Sequence, residues 1–402
     1  MTQATLVENR LSHIRLISVI SAAHFVSHYY ILILAPLLPF VRDAYGVSYT
    51  EIGLALTAFN VVTGALQTPA GFLVDWLGAR VILIIGLLIG AVAFVVVGLV
   101  DSFWVMVAMF GLAGVGNTVY HPADYALLSQ HVPADRIGQA FSIHTFAGMM
   151  GSAFAPASLL MMQSVWGWRG AFIGAGLFGF AVAAILLMVR DSAPAHVAAP
   201  PPPRAGADKP AEGWRLLMSA PILMNLFFFV VIALISSGMF NYSVVALGAL
   251  YGTDVAVANS ALSSLLLFSA FGVLVGGVIA TRVSRHAWVA ALGLATMALT
   301  AALVAQFDLG TVLLIAVMTA FGFFYGVIMP SRDMIVRDVT PPGSFGKVFG
   351  FVTTGFNIGG IVSPLIFGAI MDHGSPRLVF VAVAAFALLS VFTVISLPRR
   401  AA

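Results

Sequence analysis

The stretch VILIIGLLIGAVAFVVVGLV, Val81 to Val100, contains no charged side chain. A helix needs about 20 predominantly apolar residues to cross the roughly 30 Å hydrocarbon core of a bilayer. This stretch is long enough, and it is bounded by Arg80 and Asp101. It therefore predicts a transmembrane helix.

Eleven more apolar segments of that length follow when the chain is cut at charged and Pro/Gly-rich breaks. We therefore predict an all-α membrane protein with twelve transmembrane helices. Their centres lie near Ser27, Val62, Leu88, Leu112, Gly151, Phe178, Val231, Leu266, Leu294, Phe321, Ile361 and Phe386.

The composition of the whole chain agrees with a membrane protein. Apolar residues make up 61% of 402 positions, and mean hydropathy is +1.05. No soluble domain of this size has such a composition, so the lipid bilayer is the expected environment. The net charge of +3 gives no reason to expect nucleic acid as a partner. The absence of cysteine excludes disulfides, thiolate metal sites and Cys nucleophiles.

Charge in the loops predicts the orientation. The N-terminal segment MTQATLVENRLSHIRL is polar and has no small-residue cleavage site, so we interpret it as a cytoplasmic tail and not as a signal peptide. With this end inside, most Lys and Arg residues fall in cytoplasmic loops or tails, as the positive-inside rule requires. We expect both termini in the cytoplasm and the chain in a bacterial-type inner membrane.

A polar stretch in the middle predicts the domain division. Residues 191–215 contain four consecutive prolines, Pro200 to Pro203, and cannot form a packed core. We interpret them as a cytoplasmic linker between an N-terminal six-helix bundle, residues 1–190, and a C-terminal one, residues 216–402.

The two predicted bundles repeat each other in sequence. Tyr45-Gly46 recurs as Tyr251-Gly252 at an offset of 206, and a longer ordered series follows at an offset of 208. Such a repeat is typical of carriers built from two related halves. The series at 208 includes Gly114/Gly322, Pro122/Pro330, Gly138/Gly346, Gly151/Gly359, Pro156/Pro364 and Arg169/Arg377.

The loop GFLVDWLGAR, Gly71 to Arg80, resembles the signature loop of the major facilitator superfamily, and GVIATRVSRH at Gly277 to His286 is its degenerate copy. The resemblance implies the major facilitator fold, two pseudo-symmetric six-helix bundles. It also implies that Asp75 and Arg80 latch the cytoplasmic gate. Gly71 is expected to allow close helix approach. The further gating candidates are Arg136 and Arg282.

Two stretches are similar to the fosmidomycin-resistance branch of this superfamily. They are AHFVSHYY, which opens a helix-one motif at residues 23–30, and GLAGVGNTVYHPADYALL at residues 111–128. This similarity implies export of a small compound, which could be an anion, driven by the proton gradient. His28 departs from the branch pattern, as does Thr68, which separates Gln67 from Pro69.

Polar residues inside membrane helices are costly and are the default candidates for a site. On helix four, Asn117, His121 and Asp124 share one face beside Pro122, which predicts a kink. The repeat places Arg332 at the position equivalent to Asp124, so the two could pair or share a ligand. The remaining candidates for substrate binding or proton coupling are His24, His28, Tyr29, Asn60, Gln67, Asn241, Tyr325, Asp333 and Asn357.

Each candidate also has a structural interpretation. Asp124 could cap its helix or latch the gate with Arg332 or Arg136, and His24 and His28 could be packing residues. Asn60, Gln67 and Asn357 could join helices without binding a ligand. His144 is expected near the membrane interface. The glycines and prolines of the fifth and eleventh helices are expected to allow close packing and bending, namely Gly148, Gly151, Pro156, Gly355, Gly359 and Pro364.

These patterns narrow the function. No nucleotide-binding loop, elbow serine or nucleophile with its base is present, so neither an enzyme nor an ATP-driven pump is expected, and no cofactor. A channel is the less favoured alternative, because two homologous halves indicate alternating access. We expect a monomeric secondary transporter that couples protons to export of a small organic solute.

A buried carboxyl or imidazole group can change charge near physiological pH, so His28, His121 and Asp124 are the candidates for proton coupling. Arg332 would suit a carboxylate or phosphonate substrate through bidentate bonds. Uptake of an organic anion with protons is the second hypothesis. A divalent metal carrier is the third, because His24 and His28 lie at i and i+4 on one helix face.

Overall fold

The computed structural model describes residues 3–132, 137–188, 213–341 and 345–396. All regular secondary structure in these ranges is helical, which confirms the predicted all-α class. The helices are α1 Gln3–Ile31, α2 Leu38–Tyr45, α3 Tyr49–Leu77, α4 Ala79–Leu99, α5 Phe103–Asn117, α6 Tyr120–His131, α7 Ile137–Met188, α8 Gly213–Leu217, α9 Ala220–Ser237, α10 Ser243–Tyr251, α11 Val255–Arg282, α12 His286–Gln306, α13 Gly310–Val339, α14 Phe345–Asp372 and α15 Arg377–Ser396, with a π-helical turn Gly238–Tyr242 between α9 and α10.

Ten helical stretches of the described ranges are long and apolar enough to cross a membrane. Their outer surfaces expose large apolar side chains such as Phe72, Leu187 and Phe392, with relative exposures of 74, 59 and 70%. Soluble monomers avoid such surfaces, whereas lipid accepts them. The chain is therefore a multi-pass membrane protein. The count of twelve stays a prediction.

Helix α7 contains the bend that separates two predicted spans. Gly167 has φ 70° and ψ 171°, a left-handed backbone conformation that non-glycine residues rarely adopt. The segments centred near Gly151 and Phe178 therefore follow each other with one sharp turn and no polar loop. Together they form one of the ten helical stretches described above.

The chain divides into two compact units. Unit 1 comprises Met1–Val41 and Ala58–Pro202, and unit 2 comprises Arg42–Thr57 and Pro203–Ala402. Helix α3 thus contributes its first residues to unit 2. Most of the predicted linker, 191–212, lies outside the described residues, and the predicted domain bounds remain predictions.

Equivalent contacts recur inside the two units. A Cβ at Gly114 in unit 1 would lie 2.6 Å from the carbonyl oxygen of Phe59, and one at Gly322 in unit 2 would overlap the carbonyl of Leu265. Glycine at these places lets α5 approach α3 and α13 approach α11. The repeat found in the sequence therefore corresponds to a repeat in helix packing.

Candidate functional site

The helix that carries His121 and Asp124 is separated from the helix before it. Helix α5 ends at Asn117, α6 begins at Tyr120, and Pro122 occupies the first turn of α6. Proline has no N–H for the carbonyl of residue 118, so the helix is interrupted there. The Thr118 hydroxyl donates to the carbonyl of Val115 over 2.7 Å. The predicted kink is confirmed: the regular helix stops at Asn117 and resumes at Tyr120.

Three helices of unit 1 bring a carboxyl group between two imidazoles. Asp124 Oδ2 of α6 lies 3.3 Å from Nδ1 of His24 on α1 and 3.6 Å from Nε2 of His144 on α7. The two imidazole rings stack with centroids 3.8 Å apart. Asp124 and His144 have no exposed surface and His24 is 4% exposed. The three side chains therefore form one buried polar group.

Two more histidines flank this group. The His28 and His121 rings lie with centroids 4.7 and 5.3 Å from the ring of His24. His28 Nδ1 is 3.3 Å from the hydroxyl of Ser152, and His121 is exposed. We call His24, Asp124 and His144, together with these two neighbours, the carboxylate–histidine cluster.

Glycines on α7 let the cluster form. A Cβ at Gly148 would overlap the imidazole of His24, and a Cβ at Gly151 would overlap the carbonyl of Phe25. Helix α1 therefore approaches α7 at van der Waals contact along these two glycines. The predicted close packing at Gly148 and Gly151 is confirmed.

Several polar atoms of the cluster have no hydrogen-bond partner among the described residues. They are His24 Nδ1, both carboxylate oxygens of Asp124 and both ring nitrogens of His144. A buried polar atom without a partner costs about 1–3 kcal/mol. The group therefore has unused bonding capacity that a proton or another cation could fill.

Sequence reasoning did not place His144 in a site, but the structure buries it in the cluster. Its expected position near the membrane interface stays a prediction. A signal was present in the sequence: His144, Gly148 and Gly151 are spaced 4 and 3 residues apart, which places them on one helix face. Because the glycines contact α1, the histidine on the same face must do so too.

In unit 2, Arg332 is a largely buried cation on α13. Its side chain is 11% exposed, and Nε and Nη2 donate to Oδ1 of Asp333 over 2.9 and 2.7 Å. The guanidinium carbon lies 4.6 Å from the ring centre of Phe229 and 5.2 Å from that of Phe356. The guanidinium of Arg332 is thus stabilised by two phenyl rings and one carboxylate.

Other predicted site residues have individual surroundings. The Tyr29 hydroxyl is 2.8 Å from Ser158 Oγ, and Asn241 Nδ2 donates to Ser237 Oγ over 3.2 Å. The ring of Tyr325 packs edge-on against Phe240. The partly exposed amides on α3, α5 and α14 are Asn60, Gln67, Asn117 and Asn357. That any of these residues binds substrate stays a prediction.

The gating candidates are only partly described. Arg80 Nη2 donates to the carbonyl of Leu186 over 2.8 Å, and Arg282 is exposed at the end of α11. The side chain of Asp75 and all of Arg136 lie outside the described residues. Gly71 does not mark a close helix approach, because an added Cβ would meet no atom within 4 Å.

A multi-pass helical protein with buried ionisable groups inside its helices has the features of a membrane transporter. The sequence identifies the family of this transporter. The family model of the Major Facilitator Superfamily matches residues 20–252 and 226–402. The chain belongs to this superfamily, as its signature loop indicated. Its members are transporters, so the expectation that it is not an enzyme is confirmed.

Individual relatives agree with this assignment. The fosmidomycin resistance protein of Escherichia coli (strain K12) is 24% identical over 390 residues, 94% of this chain and 92% of that protein. The probable L-galactonate transporter of the same strain is 30% identical over 143 residues, 36% of this chain and 32% of that protein.

A solved structure shares the fold. A bacterial homolog to the human lysosomal transporter Spinster, inward-facing and unoccupied, matches with a TM-score of 0.74 and 16% identity, covering 97% of this chain and 94% of that chain. The predicted major facilitator fold is therefore confirmed.

Proposed function

We propose that this transporter exports a small organic anion from the bacterial cytoplasm in exchange for protons, as a monomer that works by alternating access. The observation that carries the proposal is the largely buried guanidinium of Arg332, which pairs with the carboxylate of Asp333. Both lie on α13, one of the candidate membrane spans. A charged side chain inside a membrane span is costly and is typically functional.

The surroundings of Arg332 suit an anionic ligand. Nε and Nη2 both donate to one oxygen of Asp333, whose side chain is 49% exposed. A substrate carboxylate or phosphonate can offer two oxygens to the same planar fork, which makes two parallel bonds. The rings of Phe229 and Phe356 hold the guanidinium in position for that exchange. Asp333 therefore acts as the internal anion that a substrate replaces.

Separate observations support the proposed direction of transport and the proposed source of energy. The relative that covers most of the chain is a fosmidomycin resistance protein, which supports export. The L-galactonate transporter relates to a shorter region and supports an organic acid as substrate. The sequence contains no nucleotide-binding loop, so a proton gradient is the proposed source of energy.

Everted membrane vesicles test the proposal. Respiration acidifies their lumen, and fosmidomycin or L-galactonate added outside should dissipate the pH gradient if the anion exchanges for protons. Arg332→Lys keeps the charge but loses the planar fork, so it should weaken this response about tenfold. Arg337→Lys, at an exposed arginine of the same helix, is the control. The proposal would be contradicted if neither anion dissipated the pH gradient. It would also be contradicted if wild type, Arg332→Lys and Arg337→Lys dissipated it equally.

Proton-coupled uptake of an organic anion is the second candidate, favoured by the bond between Arg332 and Asp333. Among the described residues, Arg332 is the charged group paired with Asp333. A proton on Asp333 would remove its charge and free the guanidinium, so proton and anion would bind together and move in one direction. The vesicles distinguish the two candidates, because an anion that enters with protons does not dissipate the gradient.

A further inference from the structure

Three buried donor atoms of the carboxylate–histidine cluster converge on one point. Nδ1 of His24, a carboxylate oxygen of Asp124 and a ring nitrogen of His144 all lie within 4.8 Å of one another. They belong to α1, α6 and α7, so the fold of unit 1 brings them together. An imidazole–carboxylate donor set of this kind is suited to a divalent transition metal.

The distances distinguish a metal site from a chain of hydrogen bonds. Direct N–H···O hydrogen bonds span about 2.7–3.2 Å. The observed separations from Asp124 Oδ2 are longer, 3.3 Å to His24 and 3.6 Å to His144. A tetrahedral zinc site with bonds of about 2.0–2.2 Å has ligand-to-ligand edges of roughly 3.3–3.6 Å. The two distances from Asp124 therefore match the edges of a zinc site, and the His24-to-His144 edge is no longer than 4.8 Å.

The burial of these three side chains and their lack of hydrogen-bond partners also favour a metal site. Both oxygens of the fully buried Asp124 lack a hydrogen-bond partner among the described residues, as do Nδ1 of His24 and both ring nitrogens of His144. One cation bonded to His24, Asp124 and His144 would satisfy a lone pair on each of them.

We propose that His24, Asp124 and His144 bind a divalent transition-metal ion of the zinc type. Three protein ligands leave a fourth position for water or another small ligand, as in open zinc sites. The exposed His121, whose ring lies 5.3 Å from that of His24, provides the approach to the site. This site is distinct from the proposed anion site at Arg332 and does not depend on which solute is carried.

Metal binding to the purified full-length chain tests the proposal. A tag without histidine is used, the protein is stripped with EDTA, and ZnCl₂ is titrated by calorimetry. Wild type should bind one equivalent, and Asp124→Asn and His144→Ala should weaken binding more than about a hundredfold, because even outer-shell changes cost 10–100-fold. His373→Gln, at an exposed histidine at the end of α14, is the control and should bind like wild type.

Cobalt gives a readout that does not need the variants to fold. Co²⁺ in the wild-type site should show the intense visible bands of tetrahedral coordination, and Zn²⁺ should displace it. Absence of zinc binding up to about 1 mM, weak octahedral cobalt bands, or wild-type affinity in both folded cluster variants would overturn the proposal. If zinc does not bind, the cluster would be expected to bind a proton and not a metal ion.

Discussion

The carboxylate of Asp372, at the end of α14, accepts a hydrogen bond from the backbone amide of Tyr49 over 2.6 Å. Its other oxygen accepts from the amide of Thr50 over 2.8 Å. These amides begin α3 and have no partner inside the helix. Ser48 and Glu51 bond each other's amides in a capping box at the same end. All of these residues belong to unit 2.

Replacing Asp372 should therefore destabilise unit 2. Asp372→Ala leaves two helix-terminal amides without their acceptor, and we expect a loss of about 1–2 kcal/mol in the free energy of unfolding. Thermal unfolding in detergent measures it. Asp43→Ala is the control, because Asp43 is exposed and its pair with Arg42 is a surface pair of little energetic value. Equal melting temperatures in the two variants would contradict the capping role.

Gly151 should not tolerate a methyl group. A Cβ there would overlap the carbonyl of Phe25, so Gly151→Ala must push α1 away from α7 and should cost about 1–3 kcal/mol. Gly71→Ala meets open space and gains helix propensity, so its stability should stay equal or rise. Thermal unfolding of both variants makes the comparison. A stable Gly151→Ala protein would show that this contact is looser than described.

Arg80 should hold the end of α7. Its guanidinium bonds the carbonyl of Leu186, one of the last carbonyls of a helix that ends at Met188. Arg80→Ala should therefore speed amide hydrogen exchange in the last turn of α7, with little change elsewhere. Arg282→Ala, at an exposed arginine, is the control. Unchanged exchange combined with lost transport would assign Arg80 to gating alone.

The predicted orientation can be tested with reporters. A green fluorescent protein fused after Arg400 should fluoresce, because that end is predicted to be cytoplasmic, and an alkaline phosphatase at the same point should be inactive. The opposite pair of results would reverse the topology, and with it the assignment of Arg80 to the cytoplasmic face.

Much of the fold could be predicted because its main signals are local. Apolar length predicts a membrane helix from a single segment, and the loss of one N–H at Pro122 predicts a kink. The spacing of His24 and His28, and that of His121 and Asp124, indicated which side chains share a face. Both pairs lie in the cluster.

The residues that contact Asp124 and Arg332 could not be predicted, because these contacts depend on tertiary packing. Nothing near Asp124 in the sequence indicates that its neighbours are His24 and His144, since helix faces alone do not say which helices meet. Asp333 follows Arg332 directly, yet adjacent helical residues usually diverge, and the phenyl rings come from α9 and α14. The π-helical turn that contains Asn241 likewise has no sequence pattern of its own.

The division of the cluster among α1, α6 and α7 has a consequence for the chain as a polymer. A single ion bonded to His24, Asp124 and His144 would close two loops at once, a long one over residues 24–124 and a shorter one over 124–144. Cross-links that close long loops remove conformational entropy from the unfolded chain. In a protein without cysteine, such an ion would take the place that disulfides hold in secreted proteins, and its removal would loosen unit 1 as reduction loosens those proteins.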